Sequence, residues 1–460
     1  MAIQATAAIR PAGRQSLRNI AIWILAVGVM ALYGVLVAEY TLKYFYPSAP
    51  RLWDTFSAWI SSRSWSSGKD SVAGYRNLDY LHNRVWMLLH TAGGALCVLL
   101  GPWQFSRRLR TRNPGLHRKM GYTYFVAGVV SIVGACGFLI NVPIRDVEMD
   151  TAFYWGLWGL LALEAPTMAA ALWAAIHRQF ALHQTLMALS LTLFATAPVM
   201  RSLWFILGGF TTLSQGQANY ASAMFLAPLC LMLAIVWTAK QRLPNTFPAL
   251  RLPPYLVPAL GVLALAGLLI NCAAVQSGSV FANAGFWLPS SASGKSALFL
   301  IFLSACAAQL LLLGALVLEP RRGVSPVLCL AAAGASLATA VAAQAFVGQV
   351  ALGGASQTSL AFSFGWMGHG LLQCLMAAGA ARFRRQGKPE LAREWLLYAA
   401  TWAFSSLYAL MLYPLAALFY GPDVGWTTAQ IQNAFVIAAA YCGVTVIRTW
   451  RPAVTGARKA

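Results

Sequence analysis

The chain is short of charge, and of negative charge above all. Of its 460 residues 12 are Asp or Glu against 33 Lys or Arg, and charged residues of both signs make up 10%. A soluble globular domain carries about 25% charged residues, so that class is excluded. A disordered chain combines low hydrophobicity with high charge, whereas 59% of this chain is hydrophobic and its mean hydropathy is +0.63. The polar loops hold no cysteine: Cys97, Cys136, Cys230, Cys272, Cys306, Cys329, Cys374 and Cys442 all fall in apolar runs, and no two form a C-x-x-C pair. That argues against a disulfide framework or a thiolate metal site and for buried thiols used as small apolar side chains. No nucleotide-binding glycine loop, H-E-x-x-H, G-x-S-x-G or paired-carboxylate motif is present, which disfavours ATP-driven pumps and hydrolases.

What the chain has instead is a series of apolar runs about 20 residues long, each bounded by charge, Gly, Pro or polar loops. Twelve are counted, at about 20–40, 84–104, 120–140, 152–176, 185–208, 221–239, 254–274, 296–318, 324–350, 359–381, 394–418 and 429–447. The fold predicted is therefore all-α, a polytopic membrane protein of about twelve transmembrane helices. Arg10, Arg14 and Arg18 precede a first run, about Ile20 to Val37, that is too long for a signal-peptide core, so an uncleaved first span is expected. The net charge of +21 would suggest nucleic acid in a soluble protein. Here the basic residues fall on alternate connections: Arg107, Arg108, Arg110, Arg112, Arg118 and Lys119, then Lys240, Arg242 and Arg251, Arg321 and Arg322, Arg382 to Arg393, and Arg448 to Lys459. That is the positive-inside pattern. It places both termini in the cytoplasm and makes the lipid bilayer, not nucleic acid, the expected partner.

The spans divide into halves. Residues 1–240 form the first six-helix half, 241–253 a proline-rich cytoplasmic linker, and 254–460 the second half, a degenerate repeat. Phe153–Trp204 holds a span, a short basic connection and another span, and Phe364–Tyr413 repeats that plan about 210 residues later. Odd spans of both halves point outward, so the duplication is parallel. The longest outer loop, 41–83, carries Trp53, Trp65, Tyr75 and Tyr80 and is expected to hold a short interfacial helix.

One stretch is family-like. His90 precedes Leu100-Gly101-Pro102-Trp103-Gln104-Phe105, which is followed by Asn113-Pro114-Gly115-Leu116-His117-Arg118-Lys119-Met120-Gly121-Tyr122; Ala181-Leu182-His183 and Arg201 come later. Over about residues 80–210 the chain resembles a bacterial membrane-protein family, domain of unknown function 2306. Gln184 stands where that pattern has a basic residue. The resemblance implies a bacterial inner-membrane protein and supplies no activity. Its histidine-in-helix layout is distantly similar to b-type cytochromes of the b561 sort.

Two candidate sites follow. His117 opens the third span and His183 the fifth, so both lie at the cytoplasmic edge, where they could bind one haem b as axial ligands, with Arg118, Lys119 and Arg178 at its propionates. The alternative is that these histidines cap helix starts and meet headgroups. His90 lies roughly 20 Å away toward the outside and cannot share that iron. Glu164 is the one acid placed mid-membrane, and Pro166 follows it. With Arg201 and His90 it forms a candidate substrate or proton site; the alternative is a carboxyl used as helix glue, with Arg201 snorkelling outward. Gln309, Gln344, Gln349, Gln373 and Asn271 are expected to hydrogen-bond between helices. Three functions remain open: a secondary transporter or permease for a small molecule or lipid, a haem protein passing electrons to or from quinone, and a membrane scaffold or sensor partner.

Overall fold

A computed structural model describes residues 13–46, 51–68, 71, 77–142, 151–219, 221–223, 234, 253–277, 292–352 and 357–420. The expected span at 429–447, nearly all of that at 221–239 and nearly all of the 241–253 linker lie outside these residues. The described regular structure is helical throughout. Among the described residues six helices are long and apolar enough to cross a membrane, or seven if one bent pair counts as a span; the sequence led to an expectation of twelve in the whole chain. Those six are α5 (Arg84–Gln104), α7 (Pro114–Asn141), α8 (Thr151–Ile176), α11 (Leu256–Ser277), α12 (Ala292–Arg322) and α13 (Pro326–Leu352). Helices α14 (Gln357–Arg385) and α15 (Pro389–Tyr420) are as long but fall outside that set. In α14, His369 and Gln373 interrupt the apolar run.

The expected straight span at 185–208 is instead two helices, α9 (Phe180–Phe194) and α10 (Thr196–Phe210), bent by 45°. Pro198 explains the break. It has no N–H for the Phe194 carbonyl, and its ring crowds that carbonyl. The segment after α1 (Gly13–Tyr40) folds back on this bent pair. It holds α2 (Leu52–Ile60), α3 (Arg63–Ser67) and α4 (Asn77–His82). Trp53 and Phe56 pack on Phe205, with ring centroids 5.0 and 5.3 Å apart, and the Trp65 indole N–H donates to the Leu213 carbonyl at 2.8 Å. His82 ends α4, separated by Asn83 from the helix that carries His90.

Helices α5 and α7 meet backbone to backbone. A Cβ at Gly93 would stand 2.5 Å from the Ala127 carbonyl oxygen, and one at Gly134 would strike the backbone of Trp86 and His90. Between them α6 (Arg107–Arg112) is a short basic helix whose Ser106 cap accepts from the Leu109 N–H at 3.3 Å. Pro114 then opens α7, a position where its missing donor costs nothing. Leu189 and Leu193 of α9 lie in one apolar cluster with Leu312, Ala332, Met376 and Trp402 from α12, α13, α14 and α15, so the two parts of the chain pack together.

The α8–α9 and α14–α15 connections are the same turn. In the first, the Gln179 N–H donates to the Ala174 carbonyl at 2.8 Å and the Arg178 N–H to Ala175 at 3.1 Å; in the second, Lys388 donates to Phe383 at 3.0 Å and Gly387 to Arg384 at 3.1 Å. This is the Schellman helix end. Arg178 has φ +60° and Gly387 φ +68°, a region that costs a residue with a Cβ roughly 1 kcal/mol or more. Counted from these turns, Gln373 stands where Glu164 does, Ala392 where His183 does and Ala399 where Ser190 does. Replacing Arg178→Gly should raise stability by about 1 kcal/mol and Gly387→Arg should lower it by a similar amount, read as midpoint shifts in denaturant unfolding of the purified protein.

Candidate functional site

The buried polar centre of the first part is built from three helices. Glu164 on α8 is 4% exposed. Its Oε1 accepts from the Ser190 hydroxyl of α9 at 2.6 Å, and Ser190 Oγ lies 2.9 Å from the Tyr124 hydroxyl of α7. Ser190 and Tyr124 are 0% and 1% exposed. The Cys97 thiol of α5 donates to the Tyr124 carbonyl at 3.4 Å. Tyr124 and Ser190 each lie ten residues into their helices from the basic end, and Glu164 twelve residues from the end of α8. At 1.5 Å per residue all three sit roughly 15–18 Å deep. Glu164 Oε2 is buried without a partner, so the chain Tyr124–Ser190–Glu164 ends on an open carboxyl oxygen. Pro166 leaves the Ala162 carbonyl without its intrahelical donor beside it.

The sequence singled out Glu164 but neither hydroxyl partner. A signal was present: Tyr124 lies seven residues beyond His117, and Ser190 seven beyond His183. Seven residues is two turns, so each hydroxyl shares a helix face with an edge histidine. Those faces point into the bundle.

At the basic edge the two histidines come within electrostatic reach of each other, with Arg110 acting on both. The His183 Nδ1–H donates to the Ala171 carbonyl at 2.9 Å, which leaves Nε2 with its lone pair. His117 Nδ1 is buried without a partner. Arg118, Lys119 and Arg178 are exposed around this edge. Burial, and then the neighbouring Arg107 guanidinium, push Arg110 below its ordinary range.

No hydrogen bond or ion pair joins any two of Glu164, Arg201 and His90. His90 belongs to the α5–α7 seam, where Nδ1–H donates to the Ser131 carbonyl at 3.1 Å and the Ser131 hydroxyl donates to the His90 carbonyl at 2.9 Å. The Arg201 guanidinium lies 3.7 Å over the Trp204 ring, a cation–π contact, and its Nη1 has no hydrogen-bond partner.

In the second part the Ser304 hydroxyl meets Thr339 at 2.9 Å between α12 and α13, a contact resembling that of His90 with Ser131. Asn271 bonds between helices as expected, donating to the Leu410 carbonyl at 2.6 Å. Gln309 does not: neither its nitrogen nor its oxygen has a partner, and Gln373 Nε2 is likewise alone. Gln344 is exposed. Glu319, which the sequence did not single out, is 3% exposed and pairs with Arg393 across α12 and α15. Arg393 stands where Gln184 does in the first part. The described residues hold no group of three or more His, Cys, Asp or Glu able to hold a metal ion.

No curated protein and no solved structure matches the chain, so a likeness to b561-type cytochromes is not shown. Residues 87–238, about a third of the chain, match the family described as predicted membrane protein, domain of unknown function 2306.

Proposed function

We propose that this is a bacterial inner-membrane carrier of a small molecule or lipid, with Glu164 as its proton-exchanging group. It has about twelve spans in two parallel six-helix halves, with both termini cytoplasmic. The observation that carries the reading is the buried chain of Glu164, Ser190 and Tyr124 across three helices. No cation among the described residues pairs with Glu164, and a lone carboxylate in hydrocarbon costs several kcal/mol. A carboxyl group so placed is stable when it carries a proton and is strained when it does not. Motion that exposes it to water releases the proton, which couples conformation to a proton gradient. The matched turns support two related halves, and Gln373 at the corresponding position is an amide that cannot titrate. One half then holds the proton site and the other a neutral copy of it. His90 and Arg201, grouped with Glu164 on sequence grounds, act in this reading as a seam contact and an aromatic-stacked cation.

In liposomes clamped with valinomycin and loaded with pyranine, the wild-type protein should pass protons several-fold faster than protein-free vesicles. Glu164→Gln should fall to the protein-free rate while keeping the wild-type melting temperature. Equal rates in wild type and variant would reduce Glu164 to a packing group.

A second reading has one observation in its favour. The His183 Nδ1–H bond to Ala171 is the arrangement that orients an imidazole as a ligand, and His117 lies at the same depth. One haem b could be held by His117 and His183, with Arg118, Lys119 and Arg178 free for propionates, and it would supply one-electron transfer toward quinone. The fit is partial, because Arg110 already faces both rings. Protein expressed with haem supplied should show a dithionite-reduced b-type α-band that is lost in His117→Ala and His183→Ala. A colourless preparation removes this reading.

A further inference from the structure

The buried core of α12 to α15 is split in two. One apolar cluster holds Leu298, Ile301, Phe302, Phe346 and Trp366. The other, nearer the basic end, holds Leu312, Ala332, Met376, Ala380 and Trp402. Between them stands a polar layer: Gln309 on α12, Ser336 and Thr339 on α13, His369 and Gln373 on α14. Gln309 and Gln373 are each 2% exposed and His369 5%.

Geometry brings the two amides to one level. Helices α12 and α14 run in the same direction, each ending in arginines. They touch where the rings of Phe302 and Trp366 lie 6.1 Å apart. Seven residues on from each ring, two turns and roughly 10 Å along, come Gln309 and Gln373. His369 lies between, its ring 6.4 Å from Trp366 and 6.1 Å from Trp402.

Ser336 and Thr339 satisfy themselves on backbone carbonyls, at 2.8 and 3.1 Å. The other three do not. Gln309 Nε2 and Oε1, Gln373 Nε2 and His369 Nδ1 have no hydrogen-bond partner. Buried polar groups in native interiors have partners, and these four atoms, from residues of one layer, have none. No charged side chain belongs to the layer, so an ion has no counter-charge there. Aromatic rings wall it on two sides.

We propose that Gln309, His369 and Gln373 form a site for an uncharged flat compound of the quinone class. The amide nitrogens would donate to its carbonyl oxygens, Gln309 Oε1 would accept from a hydroxyl of the reduced form, and the rings of Trp366 and Trp402 would flank its plane. An apolar compound of this kind dissolves in the bilayer and reaches the site from there. Binding alone is claimed, with no electron transfer.

The test uses the purified full-length protein in detergent, dialysed to equilibrium against duroquinone, with empty micelles as the blank. Durene, the same methylated ring without carbonyls, is the comparison. Duroquinone should bind saturably at one per chain and durene should not. Gln309→Met and Gln373→Met should each weaken binding tenfold or more. Neither should lower the melting temperature, because methionine keeps the packing of the chain and an unpartnered amide nitrogen gives no hydrogen bond between helices. Asn141→Ala, at the far end of α7, should bind as wild type. Absence of saturable duroquinone binding overturns the proposal, as do equal binding of durene and unchanged affinity in both methionine variants. A methionine variant that melts early or fails to fold also overturns it, by showing that the amide holds helices together. The readout is binding rather than flux, so failure here leaves the Glu164 reading standing.

Discussion

Hydrocarbon offers a buried polar atom no water, and the arrangement of this protein follows from how each such atom is answered. Backbone groups are answered by helix formation, which is why the described regular structure is helical throughout. Side chains are answered unevenly. Ser131 closes the seam with His90, Asn271 ties α11 to α15, and Ser304 meets Thr339. Glu164, Gln309, His369 and Gln373 keep atoms unanswered deep in the bundle. Each such atom costs about 1–3 kcal/mol, a sizeable share of the 5–15 kcal/mol that holds an ordinary domain together. Cost without a structural return points to function.

Two of these groups occupy matched positions. On α8 and α14, the helices matched by their Schellman turns, Glu164 and Gln373 occupy the same position. A protonated carboxyl and an amide have nearly the same shape and differ in that only the carboxyl can give up a proton. Around Glu164 the neighbours are hydroxyls, which can pass a proton along. Gln373 lies one turn from His369, whose ring is 6.4 Å from that of Trp366 and 6.1 Å from that of Trp402. The residues flanking the matched positions differ: Ser190 against Ala399, and His183 against Ala392.

Much of this was legible in the sequence. Composition and the spacing of apolar runs gave the helical membrane class, and charge placement gave the loops. Glu164 stood out because acids are rare in such runs. The 210-residue echo between Phe153–Trp204 and Phe364–Tyr413 was visible before the turns were known to coincide. The bend at Ala195 was missed because an apolar count passes through Pro198 without registering the lost donor. Ser190 and Tyr124 were missed because single hydroxyls are common in spans and bond their own helix by default; only their phase, two turns beyond a histidine, marks them. Gln309 and Gln373 were read as helix glue, and no sequence pattern distinguishes a bonded amide from an unbonded one. Glu319 was overlooked because its partner, Arg393, lies far along the chain.

Proton exchange at Glu164 while it is hydrogen-bonded to Ser190 is the central claim. Infrared difference spectra of the reconstituted protein, recorded between acid and alkaline buffer, address this directly. A carboxylic-acid carbonyl band should appear and vanish reversibly, shift in frequency in Ser190→Ala, and be missing in Glu164→Gln. A band that survives Glu164→Gln unchanged, or no reversible carboxyl signal in the wild type, would contradict the account.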